Sequence, residues 1–181
     1  MKKPPALLVC MGVSGSGKST VARALAQRFG LEFCEADDYH GPENKAHMAA
    51  GRPLNDAMRE PWVDRLSAAL ETRQRAGRSC ALAWSGLRRA QRQRIRTLGF
   101  RVLFLHLQAE EGAIADRLAS RRGHFFDPGL LRSQFEDLQP TQNEQDVMSL
   151  DVSGDLEEVL AAAEEAVRVF LQSATGGHSP P

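Results

Sequence analysis

The chain carries no net charge: Lys plus Arg number 23 and Asp plus Glu number 23 over 181 residues. That balance predicts neither a nucleic-acid partner nor attraction to an anionic membrane. No apolar run approaches the roughly 20 residues that a bilayer span requires. Lys2 and Lys3 ahead of Ala6–Met11 imitate a signal peptide only in outline, because Pro4 and Pro5 intervene and a glycine-rich loop follows at once. Cysteine is sparse. Cys10, Cys34 and Cys80 form no C-x-x-C pair, and each lies in an apolar, strand-like stretch, so they read as buried thiols of a cytoplasmic protein. The five histidines show no metal-ligand spacing, and no internal repeat is present.

What the chain does contain is a globular composition, 42% apolar and 25% charged, sufficient for one domain over residues 1–172. Strand-like runs fall at Leu7–Met11, Leu31–Glu35, Cys80–Trp84, Val102–Leu107 and Val147–Val152. Between them lie helical patterns near 18–29, 57–76, 87–97, 110–121 and 128–138. A last helix starts after Asp155, which can cap it together with Glu158, and Leu156, Val159, Leu160, Ala163 and Val167 recur at helical spacing as its core face. Apolar strands alternating with helices predict an α/β fold, a five-stranded parallel sheet covered on both faces. Residues 173–181, rich in Gly, Pro and Ser, read as a disordered tail.

The strongest local signal is Gly12-Val-Ser-Gly-Ser-Gly-Lys-Ser19, a G-x-x-x-x-G-K-S phosphate loop set between a strand and a helix. Glycines let backbone N–H groups close on phosphate oxygens, and the helix N-terminus adds the positive end of its dipole. Gly12, Val13, Ser14, Gly15, Ser16, Gly17, Lys18, Ser19 and Thr20 are thus the expected nucleotide site. Lys18 would neutralise β- and γ-phosphate charge and Ser19 would ligate Mg²⁺, which makes ATP and Mg²⁺ the expected cofactors. A GTPase is excluded, because Asn44-Lys45-Ala46-His47 lacks the required aspartate and precedes Asp151-Val152-Ser153-Gly154, the reverse of the GTPase order.

A phosphoryl acceptor must be held in line with the γ-phosphate and oriented by a base. The second strand ends at Glu35-Ala-Asp-Asp-Tyr-His40, where ligands of open α/β sheets bind. On an extended segment Glu35 and Asp37 share a face and point together toward the nucleotide; a merely solvated acidic loop is the plainer alternative. Arg59, near a helix start, can grip an anionic or polyhydroxyl acceptor or else pair with Asp56 as a surface cap. Arg88, Arg92 and Arg96, four apart, line one helix face behind the small turn at Ser85. Arg117 and Arg121, also four apart, precede Gly123 and point to a lid over about 117–135, with a solvated helix end as the alternative.

Four blocks of residues together resemble the gluconate kinase family of small P-loop carbohydrate kinases. They are Met11–Ser19; Asp37–His40 with Asn44 and Met48; Gly51–Asp56 with Arg59, Pro61 and Trp62; and Arg117-Leu118 with Arg121, Gly123-His-Phe-Phe126, Ser133-Gln-Phe135 and Leu138. The resemblance implies a nucleoside-kinase-like P-loop fold with a helical lid, and transfer of the ATP γ-phosphoryl to the 6-hydroxyl of D-gluconate. It implies catalytic roles for Lys18, Asp37, Arg117 and Arg121, acceptor contacts from Asp37, His40, Arg59, Ser85, Arg88, Arg92 and His124, and metal contacts from Ser19 and Glu35. A homodimer is the oligomer it favours.

The family usually carries Asp-Gly-Asp where this chain has Glu35-Ala36-Asp37, and Cys-Ser-Ala-Leu-Lys where it has Trp84-Ser-Gly-Leu-Arg88. The base role is therefore assigned to Asp37, with Glu35 assisting magnesium, and the bulk of Trp84 is expected to reshape the acceptor pocket. Two further readings stay open: a shikimate-kinase-like enzyme for another anionic polyol or cyclic acid, and a nucleotide-binding regulator with weak turnover.

Overall fold

The computed structural model describes residues 3–120 and 128–173. Five strands form one parallel sheet: β1 (Ala6–Met11), β2 (Glu32–Glu35), β3 (Cys80–Ala83), β4 (Arg101–Gln108) and β5 (Val147–Asp151), in the spatial order β2-β3-β1-β4-β5. Central β1 pairs Leu7 with Cys80 on one side and with Val102 on the other. Its six residues are all buried, as an unbroken apolar run requires of a strand covered on both faces.

The helices are α1 (Lys18–Phe29), α2 (Pro42–Ala49), α3 (Asp56–Arg75), α4 (Arg89–Arg96), α5 (Glu111–Ala119), α6 (Pro128–Asp137) and α7 (Leu156–Ser173). Because side chains alternate along a strand, β1 feeds two cores. Leu8 and Cys10 pack with Val21 and Leu25 of α1 and with Val159, Ala163 and Val167 of α7. Leu7, Val9 and Met11 pack with Trp62, Leu66 and Leu70 of α3 and Ile95 of α4. A third cluster, Val13, Leu87, Ile114, Leu118 and Leu131, draws α5 and α6 onto the loop that follows β1.

Five strands and the six predicted helices stand where the apolar pattern puts them. The departures are local. After β2 the chain does not stay extended: Ala36–Tyr39 form a single 3₁₀ turn, and α2 follows. No periodicity announces α2, since Asn44 is its one buried residue. Asp155 accepts from Glu157 N–H at 2.7 Å and opens α7 as expected, but Leu156, expected in the core, is 50% exposed. Trp84, expected to reshape the acceptor pocket, is instead 1% exposed and packs in the α3/α4 core, where the indole Nε1 has no partner among the described residues. All three cysteines are free and buried, and burial pushes the Cys10 thiol up to about 12, too high for a reactive thiolate. Residues 121–127, at the centre of the expected lid, and the tail from 174 lie outside the described residues, while Ser173 is the last residue of α7.

Candidate active site

At the end of β1 the Gly12 N–H donates to the Ser85 carbonyl at 3.2 Å, joining the loops after β1 and β3. Gly12 has φ 141°, and a Cβ there would stand 2.7 Å from the Leu107 carbonyl oxygen, so a side chain is excluded. Gly17, at φ 94°, turns the chain into α1. Inside the loop, Ser16 Oγ and Lys18 Nζ both donate to the Val13 carbonyl, at 2.8 and 2.9 Å. The result is a ring of backbone around the N-terminus of α1 with an ammonium at its rim, a geometry suited to phosphate. Ser14 is held from outside the loop: its N–H donates to Gln134 Oε1 at 2.6 Å, and Gln134 Nε2 donates back to Ser14 Oγ at 3.0 Å.

Beside this loop, Ser19 Oγ donates to Glu35 Oε2 at 2.6 Å. Burial raises the Glu35 carboxyl above the ordinary glutamate range, and the Ser19 hydrogen bond offsets part of that rise. Asp37 sits in the 3₁₀ turn with an 81% exposed side chain, 3.8 Å from His40 Nε2. Because the turn interrupts the extended backbone, the two acids separate: Glu35 bonds Ser19, and Asp37 faces a cavity. His40 is buried and stacks on Trp62 with ring centroids 4.0 Å apart. Burial holds its pKa below the usual imidazole range, and Asn44 Nδ2 lies 3.4 Å from its Nδ1.

Asp37, His40 and Trp62 open onto a cavity of about 640 Å³. Lys18, Asp37, His40, Arg59, Ser85 and Gln134 contribute its polar groups, and Leu54, Trp62 and Leu87 its apolar walls. Arg59 is 8% exposed, lines this cavity and is paired with two carboxylates. Its Nη1 donates to Asp56 Oδ1 at 2.9 Å, as in a helix-start cap, while its Nη2 reaches Asp137 Oδ2 at the end of α6. Arg88 joins the same acids, donating from Nε to Asp56 at 3.2 Å and from Nη2 to Asp137 Oδ1 at 2.9 Å.

Arg92 requires a correction. It is fully buried, it is not among the residues that line the cavity, and its donors are consumed internally. Nη1 donates to the Gly86 and Leu87 carbonyls at 2.7 and 3.0 Å, and Nη2 and Nε engage Glu144. Arg96 binds Glu144 and Asp146 in the same cluster. Spacing by four put Arg88, Arg92 and Arg96 on one face, but the acidic segment at 144–146 captures the last two. Arg117 also stands apart from the acceptor cavity: its Nη2 donates to the Val152 carbonyl at 2.6 Å, and it lines a separate cavity of about 320 Å³ with Thr20, Val21, Val152 and Leu156. Arg121 and His124 lie outside the described residues. Sequence reasoning offered Asp56 for Arg59 but missed Asp56 as a partner of Arg88, Asp137 as a partner of both arginines, and Gln134 as the clamp on Ser14. Gln134 lies within the Ser133-Gln-Phe135 block, but a carboxamide in a sequence does not announce its partner.

A family model described as an AAA domain matches residues 7–143. "Gluconokinase" of Gluconobacter oxydans (strain 621H) is 39% identical over 92% of this chain and 92% of its own length. "Probable gluconokinase" of Rattus norvegicus is 38% identical over 91% of this chain and 98% of its own. The chain belongs to the gluconokinase family. Among solved structures, a gluconokinase from Sinorhizobium meliloti 1021 superposes with a TM-score of 0.85 at 34% identity, covering 98% of this chain and 100% of that one. The gluconokinase fold therefore spans the full described sheet and its helices, not the phosphate loop alone.

Proposed function

We propose that this chain is an ATP-dependent gluconokinase, transferring the γ-phosphoryl of ATP to the 6-hydroxyl of D-gluconate to give 6-phospho-D-gluconate and ADP. One observation carries the reading: Lys18 of the phosphate loop, Asp37 and Arg59 line the same cavity. A donor phosphate, a base and a cation for an acid group thereby meet in one space of a size suited to a small acceptor. In the reaction the acceptor oxygen bonds to Pγ as the bond from Pγ to the β–γ bridging oxygen breaks. Asp37 takes the hydroxyl proton, and Lys18 and the loop N–H groups stabilise charge on the transferring group. Arg59, with Arg88 beside it, recognises the carboxylate of the sugar acid.

Ser19 Oγ and Glu35 Oε2 are hard oxygen donors 2.6 Å apart at the loop's exit, a set that fits Mg²⁺ held through few protein oxygens and completed by phosphates and water. When bound there, Mg²⁺ would draw the β- and γ-phosphate charge together. The smaller cavity, with its apolar wall and the Arg117 guanidinium, is a suitable seat for the nucleotide base. A homodimer and a cytoplasmic location belong to the same reading; among the described residues no helix is long and apolar enough to cross a membrane.

The test is ADP release with MgATP over a panel of gluconate, other aldonic acids, shikimate, glucose and no acceptor, with the product's phosphate position read by NMR. Gluconate is expected to give the highest kcat/KM, with the phosphate on O6. Preference for shikimate would move the chain to the cyclic-acid reading, and glucose used as well as gluconate would remove the role given to Arg59.

A further inference from the structure

Arg59 and Arg88 are balanced within the protein before any acceptor is considered. Asp56 receives one donor from each guanidinium, and Asp137 bridges them, with Oδ2 on Arg59 and Oδ1 on Arg88. Two cations and two carboxylates leave this cluster no net charge with which to attract an acid. The aspartates differ in setting. Asp56 shares the first turn of α3 with Arg59, three residues away, and its side chain is 63% exposed. Asp137 reaches over from a different element, as the last residue of α6, and its side chain is 21% exposed. The same helix lines the cavity through Leu130, Ser133 and Gln134, and Asp137 bonds Arg59, which lines it too. One turn earlier, Gln134 fixes α6 to Ser14. Being terminal in the helix, the Asp137 side chain can turn aside without disturbing that anchor.

We propose that Asp137 is a specificity-determining residue: it occupies the Arg59 guanidinium that the acceptor's carboxylate needs, and an acid acceptor binds by exchanging with it. This rests on the reading of the site as a sugar-acid kinase. The physical reason is the burial of Arg59. A neutral sugar that pushed Asp137 aside would take one of two carboxylate partners from a buried guanidinium, leaving only Asp56 on its Nη1, which is unfavourable. A carboxylate replaces like with like, keeping Arg59 paired and giving it charge-assisted hydrogen bonds in return. Discrimination between gluconate and glucose then arises from rejection of the neutral ligand as much as from attraction of the acid.

The experiment compares wild type with Asp137→Asn, which preserves shape and removes the competing charge, and with Asp137→Ser, which removes both charge and reach. KM for gluconate is expected to fall roughly tenfold in each, the size of one charge-assisted hydrogen bond, with the change appearing in KM for the acid and not in KM for MgATP. A residue that merely props the arginines would give the opposite sign, because its loss would loosen them and raise KM for gluconate. Gluconate KM unchanged or raised in a variant that melts within a few degrees of wild type overturns the proposal. If one variant fails to fold, the other decides. A wild type that phosphorylates no sugar acid would instead sink the gluconokinase reading, and the wild-type assay shows that before any variant is compared.

Discussion

Ser19 Oγ donates to Glu35 Oε2 across 2.6 Å, so the first turn of α1 and the last residue of β2 are joined side chain to side chain. The bond puts the two expected magnesium contacts side by side, with Glu35 supplying one of them. Aspartate, the acid usual at this position in the family, is one methylene shorter. Glu35→Asp is expected to leave turnover near wild type at saturating magnesium while shifting the magnesium concentration needed. Glu35→Gln should shift it further, because an uncharged oxygen holds a hard cation or its waters less well. Magnesium titrations that superimpose for all three proteins would remove Glu35 from the metal's surroundings.

Asp37 lines the same cavity as Lys18, and His40 Nε2 stands 3.8 Å from its carboxylate. A base must be available to its substrate, and the 81% exposure of this side chain meets that requirement. Asp37→Asn should lower kcat by about 10²–10⁴-fold with little change in nucleotide affinity. Lys18→Ala should abolish transfer in a folded protein, since it removes the charge stabilisation on the moving group. Near-wild-type turnover in Asp37→Asn beside a dead Glu35→Gln would reverse the two acids' roles.

Arg92 fastens the loop after β3 to the segment 139–144 through four backbone carbonyls and Glu144. An ammonium cannot reach those partners in the planar fork that a guanidinium provides. Arg92→Lys is expected to cost on the order of 2 kcal/mol in a denaturant titration, from carbonyl bonds lost in a buried site. KM for gluconate in the folded protein should stay within about twofold, which is small beside the effect of one charged contact. A tenfold rise in that KM with unchanged stability would return Arg92 to the acceptor site.

Glu144 supplies a pH test of the same cluster. Burial pulls its carboxyl up, but hydrogen bonds and charge from Arg92 and Arg96 outweigh burial and hold it at about 2, below the ordinary 4.5. A depressed carboxyl stabilises the fold in full above its unfolded value, and that stability is lost as pH falls through the folded value. The window is therefore pH 4.5 down to 2. The stability difference between wild type and Glu144→Gln, on the order of 3 kcal/mol at pH 7 from the shift alone, should shrink steadily across this window. A difference that stays constant from pH 7 to pH 2.5 would contradict the assigned charge pairing.

The sheet and its order of helices were legible in the residues themselves. Unbroken apolar runs such as Leu7–Met11 must be covered on both faces, and Gly12, Gly17, Lys18 and Ser19 at their spacing permit little besides a phosphate loop. Backbone chemistry decides such features locally, so one dimension suffices to read them. The 3₁₀ turn at 36–39 and helix α2 escaped because they carry almost no apolar pattern; the cavity shapes them more than the core does. Arg88, Arg92 and Arg96 look alike in the sequence, four residues apart on one helix face. Only the tertiary structure separates them, because each guanidinium goes to whichever carboxylates the fold brings near: Asp56 and Asp137 for Arg88, Glu144 for Arg92, and Glu144 with Asp146 for Arg96. The sequence by itself determined that this chain binds phosphate at the end of β1. Which carboxylates Arg88 and Arg92 pair with was decided by charge matching between segments about 50 residues apart, a long-range match that local spacing does not encode.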